Sequence, residues 1–400
     1  MRRLILPLLI LSITAVVATG FARRSLSRVQ APATITAAKT TAETAAYARA
    51  ADYSAAHAGM SVLVLKDGVP VYERYEGDYS AARSHQLASG TKSFWGVLAA
   101  CAVQDGVLTS LDEVVADTIT EWKTDPKRSR ITVRHLLSFT SGLKPAERLF
   151  SRPDVKDRYV FAVNQPAVAE PGATYHYDDV HLYAFGGLLT RKLAARAKRE
   201  GKPTEDVLAY LDRRVFKPVG LDYGKWARDR AGNPTLPYGA TLPAREWAKF
   251  GELIRQNGKW KGTQIVPASL LQECLQSGSK ANPAYGLTWW LNTPAPKGVD
   301  SAAAADGAGG ASRRRRSQGD MSKITEQGIY AKGGATLAMA AGAGQQRLYI
   351  LPEKGLVIVR QANPNMARAM MGLGRMDNTF RDDTFLALLL GDAATASAAK

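Results

Sequence analysis

The chain has 400 residues, 46% of them apolar and 22% charged. That balance excludes a disordered or collagen-like polymer and leaves room for one elaborate domain or two interleaved ones. The formal net charge is +17, yet no zinc-finger spacing or RNA-binding signature accompanies it, so no nucleic-acid partner is expected.

At the N-terminus Arg2-Arg3 precede an apolar stretch over residues 4–17, and small residues follow at Ala18, Gly20 and Ala22. Residues 1–22 therefore read as a signal peptide or an N-terminal anchor, which predicts export to the periplasm or the cell exterior. The stretch is short for a full membrane span. Residues 23–50, rich in Ala, Thr, Arg and Ser without apolar periodicity, read as a flexible leader. In an exported protein a basic surface would meet anionic envelope polymers or a membrane surface.

A domain is expected over residues 51–395. It opens with two β-rich runs, 61–65 and 69–75, around Lys66-Asp67-Gly68, a hairpin signal. Next comes Leu87-Ala88-Ser89-Gly90-Thr91-Lys92, at the head of an apolar run with Phe94, Val97, Leu98, Cys101 and Val103 near helical spacing. Ser89 and Lys92 are three apart, which on a helix puts both side chains on one face, about 5–6 Å between Cβ atoms. A serine hydroxyl needs a base to become a nucleophile, and a desolvated lysine amine can serve. Unpaired N–H groups at a helix start favour a developing oxyanion. The competing reading makes Ser89 a helix cap and points Lys92 at solvent. A second Ser-x-x-Lys, Ser277 to Lys280, runs into Asn282-Pro283 and reads as loop.

Helices are expected over 133–139, 179–199, 204–215 and 244–256, giving a mainly helical lobe over about 94–257. A low-complexity insert over about 294–327 carries Arg313 to Arg316. Strands return at 347–351 and 356–361 around Pro352-Glu353-Lys354-Gly355, and a helix over 382–390 closes the pattern. Strands near both ends with helices between predict an α+β fold: one antiparallel sheet built from N- and C-terminal segments, flanked by helices, with the helical lobe inserted. The cleft between lobes is the expected active site. Cys101 and Cys274 have neither metal-site nor disulfide spacing, and none of the five histidines forms a ligand motif, so no metal and no cofactor is expected.

With Ser89 and Lys92 placed, further segments resemble the serine β-lactamase and penicillin-binding-protein superfamily, in its class C-like branch of esterases, D-amino-acid peptidases and 6-aminohexanoate-dimer-hydrolase-like enzymes. Pro171-Gly172 leading to Tyr177-Asp178-Asp179 looks like the family's Pro-Gly…Tyr-x-Asn segment. Arg134 to Leu143 is similar to a segment recurring in the branch. Ala340-Ala341-Gly342 stands where the family has Lys-Thr-Gly or His-x-Gly. Together these cover roughly residues 55–395 in the expected order. The resemblance implies Ser89 as nucleophile, Lys92 and Tyr177 as general base and acid, and the N–H groups of Ser89 and Ala343 as oxyanion hole. A phenol titrates near pH 10, so Lys92 is expected to lower Tyr177. Asp179 replaces the usual asparagine and is expected to support the site by pairing with Lys92. Ala340 lacks the usual cation or donor, which argues against efficient β-lactam hydrolysis and for a small ester or amide substrate. A rival placement of the third motif uses Lys332-Gly333-Gly334.

His135 and His181 read as packing or capping residues, while Trp289 and Trp290 either line the acyl pocket or fill the core. A catalytically silent envelope-binding protein that keeps the fold is the alternative function. A Ser-His-Asp α/β-hydrolase fits worse, because there is no G-x-S-x-G and no histidine after His181.

Overall fold

The computed structural model describes residues 41–146, 149–295, 327–362 and 379–392. The segment 1–22, residues 23–40 and the arginine run Arg313 to Arg316 lie outside the described residues.

In chain order the helices are α1 (Thr41–Ala56), α2 (Ser93–Gln104), α3 (Val133–Leu137), α4 (Arg158–Val163), α5 (Val180–Glu200), α6 (Val207–Leu211), α7 (Lys217–Val219), α8 (Ala244–Arg255), α9 (Ala268–Cys274) and α10 (Asp382–Leu389). The strands are β1 (Gly59–Lys66), β2 (Val69–Tyr75), β3 (His85–Gln86), β4 (Lys225–Trp226), β5 (Ala240–Leu242), β6 (Lys259–Trp260), β7 (Thr263–Gln264), β8 (Trp290–Leu291), β9 (Ala338–Gly342), β10 (Gln346–Leu351) and β11 (Leu356–Ala362). The main sheet runs β2-β1-β11-β10-β9-β8, antiparallel throughout. Within it β1 pairs with β11, Val62 opposite Arg360 and Val64 opposite Ile358. The fold is α+β, with the sheet made from the two ends of the domain.

Each hairpin follows from its turn. Asp67 and Gly68 both take positive φ, 50° and 80°, the geometry a two-residue β-turn of matching twist requires. Side chains alternate across the sheet, so β11 serves two layers. Val357 faces α8, where Gly251 allows close approach to Val357, Leu348 and Ile350. Arg360 faces the other way, towards Ser54 of α1 at 2.9 Å. On that second face Arg347 pairs with Asp382 of α10 at 2.7 Å, with both side chains at most 3% exposed, and the Tyr349 hydroxyl donates to the same carboxylate.

Helix α1 begins inside the stretch expected to be a flexible leader over 23–50. It has almost no apolar periodicity because small residues make its buried face: Ala46, Ala50 and Ala51 pack beside Tyr47. The helix expected over 133–139 stops at Leu137, since Phe139 has φ 62° and cannot continue it. The one expected over 204–215 is α6 followed by a π-turn, Asp212–Phe216. Among the described residues no helix is long and apolar enough to cross a membrane, and no cluster of potential metal ligands occurs. Cys101 and Cys274 are buried free thiols.

Candidate active site

Ser89 sits in a short 3-10 helix, Ala88–Lys92, immediately before α2. In a 3-10 helix residues i and i+3 eclipse one another. Lys92 is thus set directly over Ser89, and its Nζ lies 3.0 Å from the serine Oγ. Ala88 enters the turn with φ 47°, an uncommon conformation for a residue with a Cβ and the kind of strain that surrounding structure must hold in place. Ser89 remains partly exposed, whereas Lys92 is 2% exposed.

Acceptors crowd the Lys92 ammonium. Besides Ser89 Oγ, it donates to the Pro237 carbonyl at 3.2 Å and pairs with Asp179 Oδ1 at 2.9 Å. Asp179 stands at the N-cap of α5 but does not cap it with its side chain. That role falls to Asp178, whose Oδ1 accepts from Val180 N at 2.9 Å, so the Asp179 carboxylate is left for Lys92. Burial pulls the Lys92 amine down, and the charge and hydrogen bond of Asp179, with the charge of Asp178 behind it, more than offset that, leaving the pKa above its usual value. The resting group is an ammonium.

Tyr177 arrives from the segment leading into α5. Its hydroxyl interacts with both Ser89 and Lys92, and its ring centroid lies 5.1 Å from Lys92 Nζ. Trp290 stacks on that ring at 5.5 Å, with Phe139 and Tyr285 against it at 5.2 and 5.9 Å. Within this aromatic wall, burial raises the phenol pKa, and Lys92 and the Ser89 hydrogen bond only partly reverse that. The expected net lowering by Lys92 is therefore corrected: the cation acts in that direction, but desolvation is the larger effect and the phenol rests neutral.

The third motif lies on β9. Gly342 backs onto the Ser89 turn so closely that a Cβ there would sit 2.0 Å from the Leu87 carbonyl oxygen and 3.0 Å from Gly90 N. Only glycine permits that approach. Ala343 follows at the strand end, partly exposed, and Ala340 is buried on β9 opposite Leu348. Lys332 of the rival motif is elsewhere, in a loop where it pairs with Asp392 at 3.2 Å. The second Ser-x-x-Lys is loop as well.

His135 closes a capping box with Thr132 at the head of α3. His181 is buried, with Nδ1 2.8 Å from Ser141 Oγ and Nε2 3.0 Å from the His176 carbonyl. Of the two tryptophans, Trp290 covers Tyr177, and Trp289 stacks on Phe250 in the core. Sequence reading missed the segment Leu236-Pro237. Its carbonyls take the Trp95 indole N–H at 2.6 Å and the Lys92 ammonium. A backbone acceptor carries no residue signature, so nothing in the sequence marked it.

The α+β architecture with its antiparallel sheet is that of a hydrolase fold, and comparison with known proteins adds a family. The family model described as Beta-lactamase matches residues 44–369. The chain belongs to the beta-lactamase family, within the serine β-lactamase and penicillin-binding-protein-like superfamily, and has its hydrolase fold. No curated protein sequence matches the chain. Similar solved structures include a penicillin-binding protein homolog from Caulobacter crescentus, with 14% identity, 82% of this chain and 93% of that one covered, and TM-score 0.58. EstCE1, described as a hydrolase with promiscuous acyltransferase activity, has 15% identity, coverage of 80% and 93%, and TM-score 0.56. A Bacillus anthracis protein provisionally assigned as a 6-aminohexanoate-dimer hydrolase has 16% identity, coverage of 87% and 81%, and TM-score 0.56. At these identities the likeness is one of fold.

Proposed function

We propose that the protein is an exported serine hydrolase that cleaves small ester or amide substrates through an acyl-enzyme on Ser89. The observation that carries this reading is the contact of a buried lysine with a partly exposed serine, Lys92 Nζ to Ser89 Oγ at 3.0 Å. Lys92 serves as the base on the hydroxyl, and Tyr177 passes a proton to the leaving group. The N–H groups of Ser89 and Ala343 stabilise the oxyanion, with Gly342 letting substrate lie against β9. Similar folds in a hydrolase with promiscuous acyltransferase activity and in a provisionally assigned 6-aminohexanoate-dimer hydrolase fit this substrate class. Ala340 offers neither charge nor hydrogen bond where a β-lactam carboxylate would need one, so β-lactams are expected to be poor substrates. Export rests on the apolar stretch behind Arg2-Arg3, and the +17 charge fits contact with an anionic envelope.

Treatment with a fluorophosphonate probe followed by peptide mass spectrometry tests the reading. An adduct on Ser89 is expected, absent in Ser89→Ala and formed about 10²–10⁴-fold more slowly in Lys92→Ala. Short-chain p-nitrophenyl esters should turn over faster than a chromogenic cephalosporin. No labelled serine would favour a silent binding protein that retains the fold.

A further inference from the structure

We propose that Asp179 is the proton acceptor that turns Lys92 from an ammonium into a base, so that the site works as a carboxylate–lysine relay. The inference rests on the acyl-enzyme reading and deepens it. Its starting point is geometric. A lysine ammonium has three hydrogens and no lone pair. Around Lys92 all three have acceptors: Asp179 Oδ1 at 2.9 Å, Ser89 Oγ at 3.0 Å and Pro237 O at 3.2 Å. In this state Lys92 donates to the nucleophile and cannot take its proton. One hydrogen must leave as the serine's arrives. The lysine is buried away from bulk water, and of the groups hydrogen-bonded to it only Asp179 is a carboxyl group.

The sequence of transfers then balances. The two transfers of the attack step are concerted: a proton passes from Nζ to Asp179 Oδ1, giving a neutral acid, as the nitrogen takes up another. The lone pair so freed takes the Ser89 hydroxyl proton as Oγ forms its bond to the acyl carbon, and Lys92 is again an ammonium. The negative charge that was on Asp179 now resides on the tetrahedral oxygen. When that intermediate collapses, the bond to the leaving group breaks and the leaving group takes the Tyr177 hydroxyl proton. Tyr177 recovers one from Lys92, and Lys92 recovers one from Asp179. The resting charges return, and the serine proton has left with the leaving group.

Asp178 is engaged elsewhere, its Oδ1 accepting from the N–H groups of Val180 and Ala146, and it is Asp179 that pairs with Lys92 at 2.9 Å. The groups whose titration senses Asp179 are Lys92, Tyr177, Asp178, Tyr183, Tyr238 and Tyr285. Burial raises all four tyrosines, which keeps them neutral, and Lys92 is the one cation among these groups. Asp179 touches no reacting atom; it acts through Lys92.

The test is the rate at which Ser89 of the full chain is labelled by the fluorophosphonate, followed against pH and against the fraction of D2O. Wild type should label at a constant rate from about pH 5 to 9, because the relay needs no net proton loss to solvent. Its proton inventory should be bowed, from two protons in flight. Asp179→Asn keeps the shape and loses the acceptor: labelling at neutral pH should fall about 10²-fold, rise with pH, and show a linear inventory. Asp179→Glu should recover the flat profile. An Asn variant as fast as wild type across that range, or inventories of the same shape in both, overturns the relay. If the Asn variant does not fold, the wild-type inventory decides alone, and a linear one overturns the proposal. Absence of any adduct on wild-type Ser89 would instead sink the acyl-enzyme reading.

Discussion

At the scale of single residues, the site depends on how near the strand β9 can come to the Ser89 turn. Gly342→Ala places a methyl carbon 2.0 Å from the Leu87 carbonyl oxygen, so strand or turn must move. Overpacking of this kind costs about 1–3 kcal/mol. Because displacements near 1 Å misalign reacting groups, labelling of Ser89 should drop by at least about tenfold. Urea unfolding and labelling kinetics on the same preparation would measure both effects. Residue types announced much of this site. A serine, a lysine and a tyrosine with their spacings were legible because chemistry restricts which side chains can serve. The direction of the Tyr177 shift was not legible, since the desolvation that dominates it comes from Phe139, Tyr285 and Trp290, brought together only by folding.

Among the elements, α5 links the site to the helical lobe and carries a buried histidine as a hidden acid sensitivity. Burial lowers His181 to about 3 from its ordinary 6.5. The unfolded chain takes up this proton below pH 6.5 and the folded chain does not until about pH 3. The contribution to stability is therefore whole above pH 6.5 and declines as pH falls through the window between the two values. The slope is about 1.4 kcal/mol per pH unit well inside it. Urea midpoints should fall between pH 7 and pH 4.5, and His181→Asn should flatten that limb even if it lowers stability at pH 7. An unchanged limb would contradict the assignment. Helix α5 itself was legible from the spacing of Leu182, Phe185, Leu188, Leu189 and Leu193. Helix α1 was hidden because alanines supply its buried face, and the end of α3 because no local rule requires positive φ at Phe139.

For the whole molecule, the ends of the domain are held by charge as well as by strand pairing. Arg347 and Asp382 join β10 to α10 with both side chains almost fully buried. Asp382→Ala leaves that guanidinium without its carboxylate and Tyr349 without its acceptor. A loss of about 3–5 kcal/mol is expected, read from the urea midpoint. Replacing Arg347 and Asp382 together with apolar residues of similar volume should recover much of it. The antiparallel sheet was legible in outline from strand runs near both ends. Its register was not, because β1 finds its partner far away: Ser61 and Gln361 are 300 positions apart. That separation has a consequence for biogenesis. A ribosome that has delivered Ser89 must still make most of the remaining domain before β9 can back its turn. The half-made chain therefore lacks the backing of its Ser89 turn, and that part of the site is complete only late, as a property of the finished polypeptide.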